Sequence, residues 1–182
     1  MLKPVRTTAP VGTILSLDEA KAHLRVDHDA EDGLITDLIA AVDAHFDGWS
    51  GILGRCVRPQ TWVFRTQMLA DTRLPFPDVQ SAVVTYLDDS QASQTLPSGN
   101  YRLHNDDQGG LMELVSGVTQ PSVFDRIDAV QITAVYGMAS VPAAIKQAAL
   151  LQIGYFYRQR EGAGDPPFAV DALIAPYRFR FI

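Results

Sequence analysis

The stretch Asp32-Gly33-Leu34-Ile35-Thr36-Asp37-Leu38-Ile39-Ala40-Ala41-Val42-Asp43-Ala44-His45-Phe46-Asp47-Gly48-Trp49-Ser50 decides the class of fold. Leu34, Leu38, Val42, Phe46 and Trp49 recur at helical spacing, joined by Ile35 and Ile39, while Thr36, Asp43 and Asp47 mark a polar side. A helix turns residues so spaced onto one face. The acidic run Asp27-His28-Asp29-Ala30-Glu31-Asp32 lies ahead of it, where negative charge suits the positive end of the helix dipole. The pattern predicts a helix that continues to about Ser50 and is ended by Gly51 and Gly54.

Upstream, Pro4, Pro10 and Gly12 give the first dozen residues the composition of an extended arm, with order beginning near Ile14. Ser16 is placed as N-cap of a short helix over Leu17 to Leu24, and Glu19 closes a capping box. Leu17, Ala20 and Leu24 form its inward side. From Pro59 to Gly137 the period changes. Thr61–Thr66, Ala82–Leu87, Tyr101–His104, Leu111–Val115 and Ala129–Tyr136 are short runs rich in β-branched and aromatic residues, and they read as strands. Pro75, Pro77, Pro97-Ser98-Gly99-Asn100, Asp106–Gly110 and Gln120-Pro121 supply turn compositions between them.

Pro142 is suited to open a third long helix, with Gly162 and Gly164 closing it near Glu161. Ile145, Ala149, Ile153, Phe156 and Tyr157, with Ala148, Leu150, Leu151 and Tyr155, leave its middle little polar surface, so it packs on more than one side. A short helix over Val170–Ala175 is cut by Pro176. The expected class is α+β. A helical core from 14–55 and 141–176 carries an antiparallel β module inserted at 59–137 and an extended tail at 177–182, all within a single domain over 1–182.

Of the 182 residues, 47% are hydrophobic and 20% charged, the balance of a globular protein. The net charge of -6 and pI near 5.0 argue against a surface that grips nucleic acid, which takes clustered Lys and Arg. The single cysteine, Cys56, excludes an intrachain disulfide and a multi-cysteine zinc site. No apolar run approaches the roughly 18 residues of a membrane helix, and no signal-peptide core follows Arg6. The expectation is synthesis in the cytosol without export or membrane anchorage.

Chemistry-bearing patterns are weak. Asp27, Asp29 and Glu31 imitate the first ligands of a calcium loop, but Asp32 stands where glycine is needed and Leu38 where a bidentate glutamate is needed. A solvated helix start is the better reading. Gly48-Trp49-Ser50-Gly51-Ile52 lacks the last glycine of a nucleophile elbow and does not follow a strand. His23, His28, His45 and His104 show no ligand spacing on one helix face. Gly109-Gly110 reads as a hairpin turn rather than a phosphate loop. Arg55, Arg58, Arg65 and Arg73 cluster in sequence near Trp62, which leaves a DNA-contacting module as a minor alternative; basic residues on strand edges and loops are the simpler account. No catalytic residue, cofactor or metal is expected, and the chain does not read as an enzyme.

Three stretches in order resemble the head-tail connector (adaptor) family of long-tailed phages, prophages and gene transfer agents. They are Leu15-Ser16-Leu17-Asp18-Glu19-Ala20-Lys21-Ala22-His23-Leu24-Arg25-Val26-Asp27 with the helix Leu34 to Gly54, then Pro142-Ala143-Ala144-Ile145-Lys146-Gln147-Ala148 running into Tyr155-Phe156-Tyr157-Arg158-Gln159-Arg160-Glu161, then Val170-Asp171-Ala172-Leu173-Ile174-Ala175-Pro176-Tyr177-Arg178. Pro59-Gln60-Thr61-Trp62 and Tyr86-Leu87-Asp88 extend the likeness over nearly the whole chain. The resemblance implies a subunit of a twelve-membered ring in the particle neck. Its partners are the portal protein, copies of itself and a stopper or tail-completion protein, and packaged DNA passes through the ring without sequence-specific binding. Another neck ring subunit, such as a stopper, is the alternative. The long β-rich middle departs from the smaller, helix-dominated members.

The resemblance also implies that the C-terminal segment enters the portal, which assigns portal binding to Tyr177, Arg178, Phe179, Arg180, Phe181 and Ile182. In an extended chain Tyr177, Phe179 and Phe181 point to one side and Arg178 and Arg180 to the other. Folding of this tail onto its own core is the competing expectation. Asp43 and Asp47, or the Asp106-Asp107 loop, are candidates for negative charge facing DNA.

Overall fold

The computed structural model describes residues 2–159 and 168–180. The class is α+β, with four α-helices and antiparallel sheets among the described residues. By contacts the chain divides into two compact units, one from residues 2–10 and Pro59–Met138, the other from Val11–Arg58 and Ala139–Arg180.

The second unit is helical. Helix α1, Leu17–Leu24, begins at Ser16, whose hydroxyl accepts from the Glu19 N–H at 3.1 Å while the Glu19 carboxylate accepts from the Ser16 N–H at 2.8 Å. That is the capping box read from the sequence. Helix α2 spans Asp32–Phe46 and buries Ile35, Ile39, Val42 and Phe46. The buried stripe is thus centred one residue away from the expected one, and Leu34 is exposed. The helix also ends before Ser50. Asp47 leaves the helical region, and Gly48, at φ 77°, turns the chain. The Ile52 and Leu53 N–H groups then donate to the His45 and Phe46 carbonyls, which satisfies the last turn. The first glycine after the apolar stripe ends the helix, ahead of Gly51 and Gly54.

Helix α3, Ala143–Arg158, starts after Pro142, whose carbonyl accepts from Ile145 and Lys146. Ile145, Ala148, Ala149, Gln152, Ile153 and Gly154 are buried, because α1, α2 and α4 all pack on α3. At Gly154 an added Cβ would stand 3.2 Å from His23 Nε2, so the small residue lets α1 approach. The expected end at Glu161, Gly162 and Gly164 lies outside the described residues. Helix α4, Phe168–Ile174, passes into a 3-10 turn at Ala175–Tyr177, so Pro176 tightens the last turn rather than cutting the chain abruptly.

The first unit is β. Its larger sheet has the order β1-β2-β8-β4-β5, with β1 Val5–Thr8, β2 Gln60–Thr66, β4 Val79–Leu87, β5 Ser93–Thr95 and β8 Val130–Tyr136. The smaller has the order β3-β7-β6, with β3 Thr72–Arg73, β6 Tyr101–Asp106 and β7 Gly109–Leu114. Register places Trp62 beside Ala134 and Phe64 beside Ile132, with Val84 beside Ile132 on the other flank. All five are on one face. Phe76 sits between Trp62 and Tyr136, with ring centroids 4.9 and 5.2 Å away, and Leu74 and Met112 are fully buried.

The five strands read from the sequence are all present. The N-terminal arm is a strand as well, paired Val5 to Val63. Strands β1 and β5 are exposed along their length, so burial imposes no hydrophobic pattern on them, and β3 has only 2 residues. The β6–β7 hairpin closes at Asp106 and Gly109 around Asp107-Gln108, so Gly109 and Gly110 begin β7 instead of forming the turn. Gly110 is small for packing: a Cβ there would lie 2.8 Å from the Phe76 carbonyl oxygen.

Candidate functional site

The helical unit places the described part of the C-terminal segment on its own turn at Leu53-Gly54-Arg55. The Phe179 N–H donates to the buried Leu53 carbonyl at 2.8 Å, and Arg55 Nη1 donates to the Tyr177 carbonyl at 3.3 Å. Gly54 has φ 60°, and a Cβ built on it would fall 2.1 Å from the Phe179 carbonyl oxygen. The chain therefore crosses at a point where only glycine fits. Arg178 Nη2 pairs with Asp171 of α4. Tyr177 closes the 3-10 turn and the chain is extended only from Arg178, so the tail begins one residue later than expected; Tyr177 and Phe179 are half-buried, while Arg178 and Arg180 are exposed. Phe181 and Ile182 lie outside the described residues.

Two carboxylates expected on the wet face of α2 turn inward. Asp43 accepts from the Ile14 N–H at 3.0 Å and from Arg58 Nη2 at 3.1 Å, and Arg58 Nη1 donates to the Val11 carbonyl at 2.7 Å. Asp47 Oδ1 accepts from the Val57 N–H at 2.7 Å. These groups hold the chain entering α1 and the chain leaving the Gly48–Gly54 turn. Burial pushes the Asp43 carboxyl above its ordinary pKa, opposed by the Ile14 N–H and by Arg58. In the hairpin, Asp106 is held by Arg73 Nη1 at 2.7 Å, which lowers its pKa, and it also caps the Gln108 N–H. Asp43, Asp47 and Asp106 are thus engaged in structural bonds, while Asp107 stays exposed at the hairpin tip.

Arg55 and Arg58 belong to the helical unit, Arg65 and Arg73 to the β unit, and each is bonded: Arg65 Nε donates to Gln131 Oε1 at 3.1 Å. Asp29 and Asp32 converge on Lys21 Nζ at 2.8 and 2.7 Å, so the acidic run works as an ion-paired helix start. His104 sits 3.0 Å from Glu113 across the β6–β7 hairpin. Among the described residues no group of three or more His, Cys, Asp or Glu side chains is placed to hold a metal, and no helix is long and apolar enough to cross a membrane.

The model of the phage gp6-like head-tail connector protein family matches residues 14–63, the segment from the chain entering α1 to the first half of β2. That agrees with the resemblance read from the sequence. At whole-chain level the fold is similar to a chain in the virion of a native gene transfer agent particle, at 23% identity and a TM-score of 0.77. It is also similar to chains in the neck of an empty gene transfer agent particle computed with C6 symmetry (22% identity, TM-score 0.75) and in the neck of a native one computed with C12 symmetry (21% identity, TM-score 0.69). Each likeness covers 100% of this chain and 97% of the other. Among curated proteins, none matches the sequence.

Proposed function

We propose that this chain is a structural head-tail connector of a phage-like or gene transfer agent particle, a subunit of a ring in the neck that extends the DNA channel below the portal. The observation that carries this reading is the coincidence of two likenesses. A connector family model matches residues 14–63, and the complete fold, β unit included, is shared with chains of gene transfer agent virions and necks. The long β-rich middle that departs from smaller connectors is therefore not an obstacle to the reading.

The C12 symmetry of the native gene transfer agent neck favours a twelve-membered ring of copies. A closed ring requires heterologous contacts between unlike faces of neighbouring copies. With a formal charge of -6 per chain, neighbours repel at long range, so contact with a portal template raises the stability of the ring. The negative balance also suits a channel through which DNA slides without being held. The other partner is the next neck component, a stopper or tail-completion protein. The bonds that Arg55, Arg58, Arg65 and Arg73 make within their own units weigh against a DNA-gripping module.

The C-terminal residues Tyr177, Arg178, Phe179, Arg180, Phe181 and Ile182 are assigned to the portal. Their alternation suits strand addition, in which backbone bonds provide affinity and the aromatic side fills pockets. Arg178 and Arg180 would meet portal carboxylates and add to orientation more than to net affinity. The test is attachment to portal-bearing, DNA-filled heads. A chain lacking Phe179–Ile182, shown by circular dichroism and melting to be folded, is expected to lose attachment. Co-purification with the stopper or tail components but never with the portal would replace the connector by another neck subunit.

A further inference from the structure

The alternation of the C-terminal segment creates a conflict once its docking is known. Tyr177 and Phe179, the aromatic side suited to partner pockets, are half-buried in the free subunit, and Arg178 and Arg180 are exposed. The Phe179 N–H is already bonded to Leu53. The same side chains and the same backbone donor cannot serve a portal strand while they serve this site.

We propose that the segment is self-latched: in the free subunit Tyr177–Arg180 occupies the turn at Leu53-Gly54-Arg55, and a portal takes the segment only by displacing it. This rests on the portal-binding reading above. Among the described residues the latch includes the Phe179–Leu53 bond, the Arg55 bond to the Tyr177 carbonyl, the Arg178–Asp171 pair and the contact of the chain across Gly54. Three features suit it to release. The ion pair is exposed on both partners, the described chain makes one main-chain bond at the crossing, and the surface beneath is shaped by the missing side chain of one residue. A latch of this kind lowers the apparent affinity of the segment for any partner by the fraction of time it is open. It also keeps two aromatics and an open strand edge from pairing with other copies before a portal is present.

Hydrogen exchange at the Phe179 amide reads the latch directly. In the unaltered chain this amide is expected to exchange well below the free-peptide rate. Gly54→Ala puts a methyl group where the Phe179 carbonyl oxygen lies, which pushes the segment off the turn, so Phe179 should lose protection while the amides of Ile145–Ile153 keep theirs. Asp171→Asn loosens the latch from the other side without altering the turn and should raise Phe179 exchange in the same direction. Both variants should bind portal-bearing heads with an apparent affinity raised about threefold or more.

Phe179 unprotected in the unaltered chain, or still protected in Gly54→Ala, overturns the proposal. So does weaker attachment by a folded variant whose Phe179 has become exposed, because the contact is then an anchor for the segment. Failure of the portal reading itself is seen separately, as unchanged attachment after deletion of Phe179–Ile182, and this outcome removes the competitor on which the proposal depends.

Discussion

Replacing Asp43 should separate the acceptor that holds the start of the helical unit from the charge it carries. Asp43 receives the Ile14 N–H at 3.0 and 3.3 Å and Arg58 Nη2 at 3.1 Å, with only 15% of its side chain and 12% of that of Arg58 exposed. Asp43→Ala leaves the guanidinium without its carboxylate and the Ile14 N–H without its acceptor. Removing one partner of a fully buried pair costs about 3–5 kcal/mol, and the residual exposure here reduces that. A lost neutral hydrogen bond adds about 1 kcal/mol. The sum is about 3 kcal/mol, or roughly 6–12 °C in melting temperature for a chain of this size.

Asp43→Asn keeps an oxygen for Ile14 and removes the ionised group whose burial raises its pKa, so its cost should be near 1 kcal/mol. The sign of the pH dependence follows. A folded pKa above the unfolded value near 3.8 means that the folded state binds more protons between the two values. The contribution of Asp43 to stability falls as pH rises through that window and is level above it, and Asp43→Asn should abolish this component. Trp49 is in the same unit, and the only other tryptophan is Trp62, so urea unfolding followed by fluorescence in a Trp62→Phe background reports the helical unit. A cost below about 1 kcal/mol for Asp43→Ala, or equal costs for the Ala and Asn variants, would refute the reasoning.

Three further outcomes follow from particular contacts. Ser16→Ala removes the hydroxyl half of the capping box at α1 and should cost about 1 kcal/mol in urea unfolding. The Asp88 carboxylate accepts from the Ser90 hydroxyl and from Gln94, Ala92 and Ser90 nitrogens, which holds its pKa at about 2; the order it gives the β4–β5 turn is complete above the unfolded value near 3.8 and is lost as pH falls through about 2, visible as loss of Ser90 and Ala92 amide shifts in an acid titration by NMR. Gly110→Ala forces a methyl group to 2.8 Å from the Phe76 carbonyl and 3.2 Å from Leu74, and thermal unfolding of the β unit should register about 1–3 kcal/mol of overpacking.

What was legible in the sequence is what short-range chemistry writes there. Ser16 and Glu19 are three residues apart and cap α1 by themselves, Pro142 opens α3, and the strands packed against Phe76 announce themselves through β-branched and aromatic residues. The alternation at Tyr177–Arg180 was also legible, since it is a property of consecutive residues. What only the tertiary structure decided depends on partners distant along the chain. Val5–Thr8 becomes a strand because Val63 and Trp62 lie beside it, with no hydrophobic pattern of its own. Asp43 and Asp47 have the composition of a wet helix face, yet the Ile14 and Val57 N–H groups and Arg58 draw them inward. Gly54 looks like a helix terminator. Its role is set instead by Phe179, which comes from the far end of the chain and crosses where a Cβ would stand, and nothing local to Gly54 records that approach.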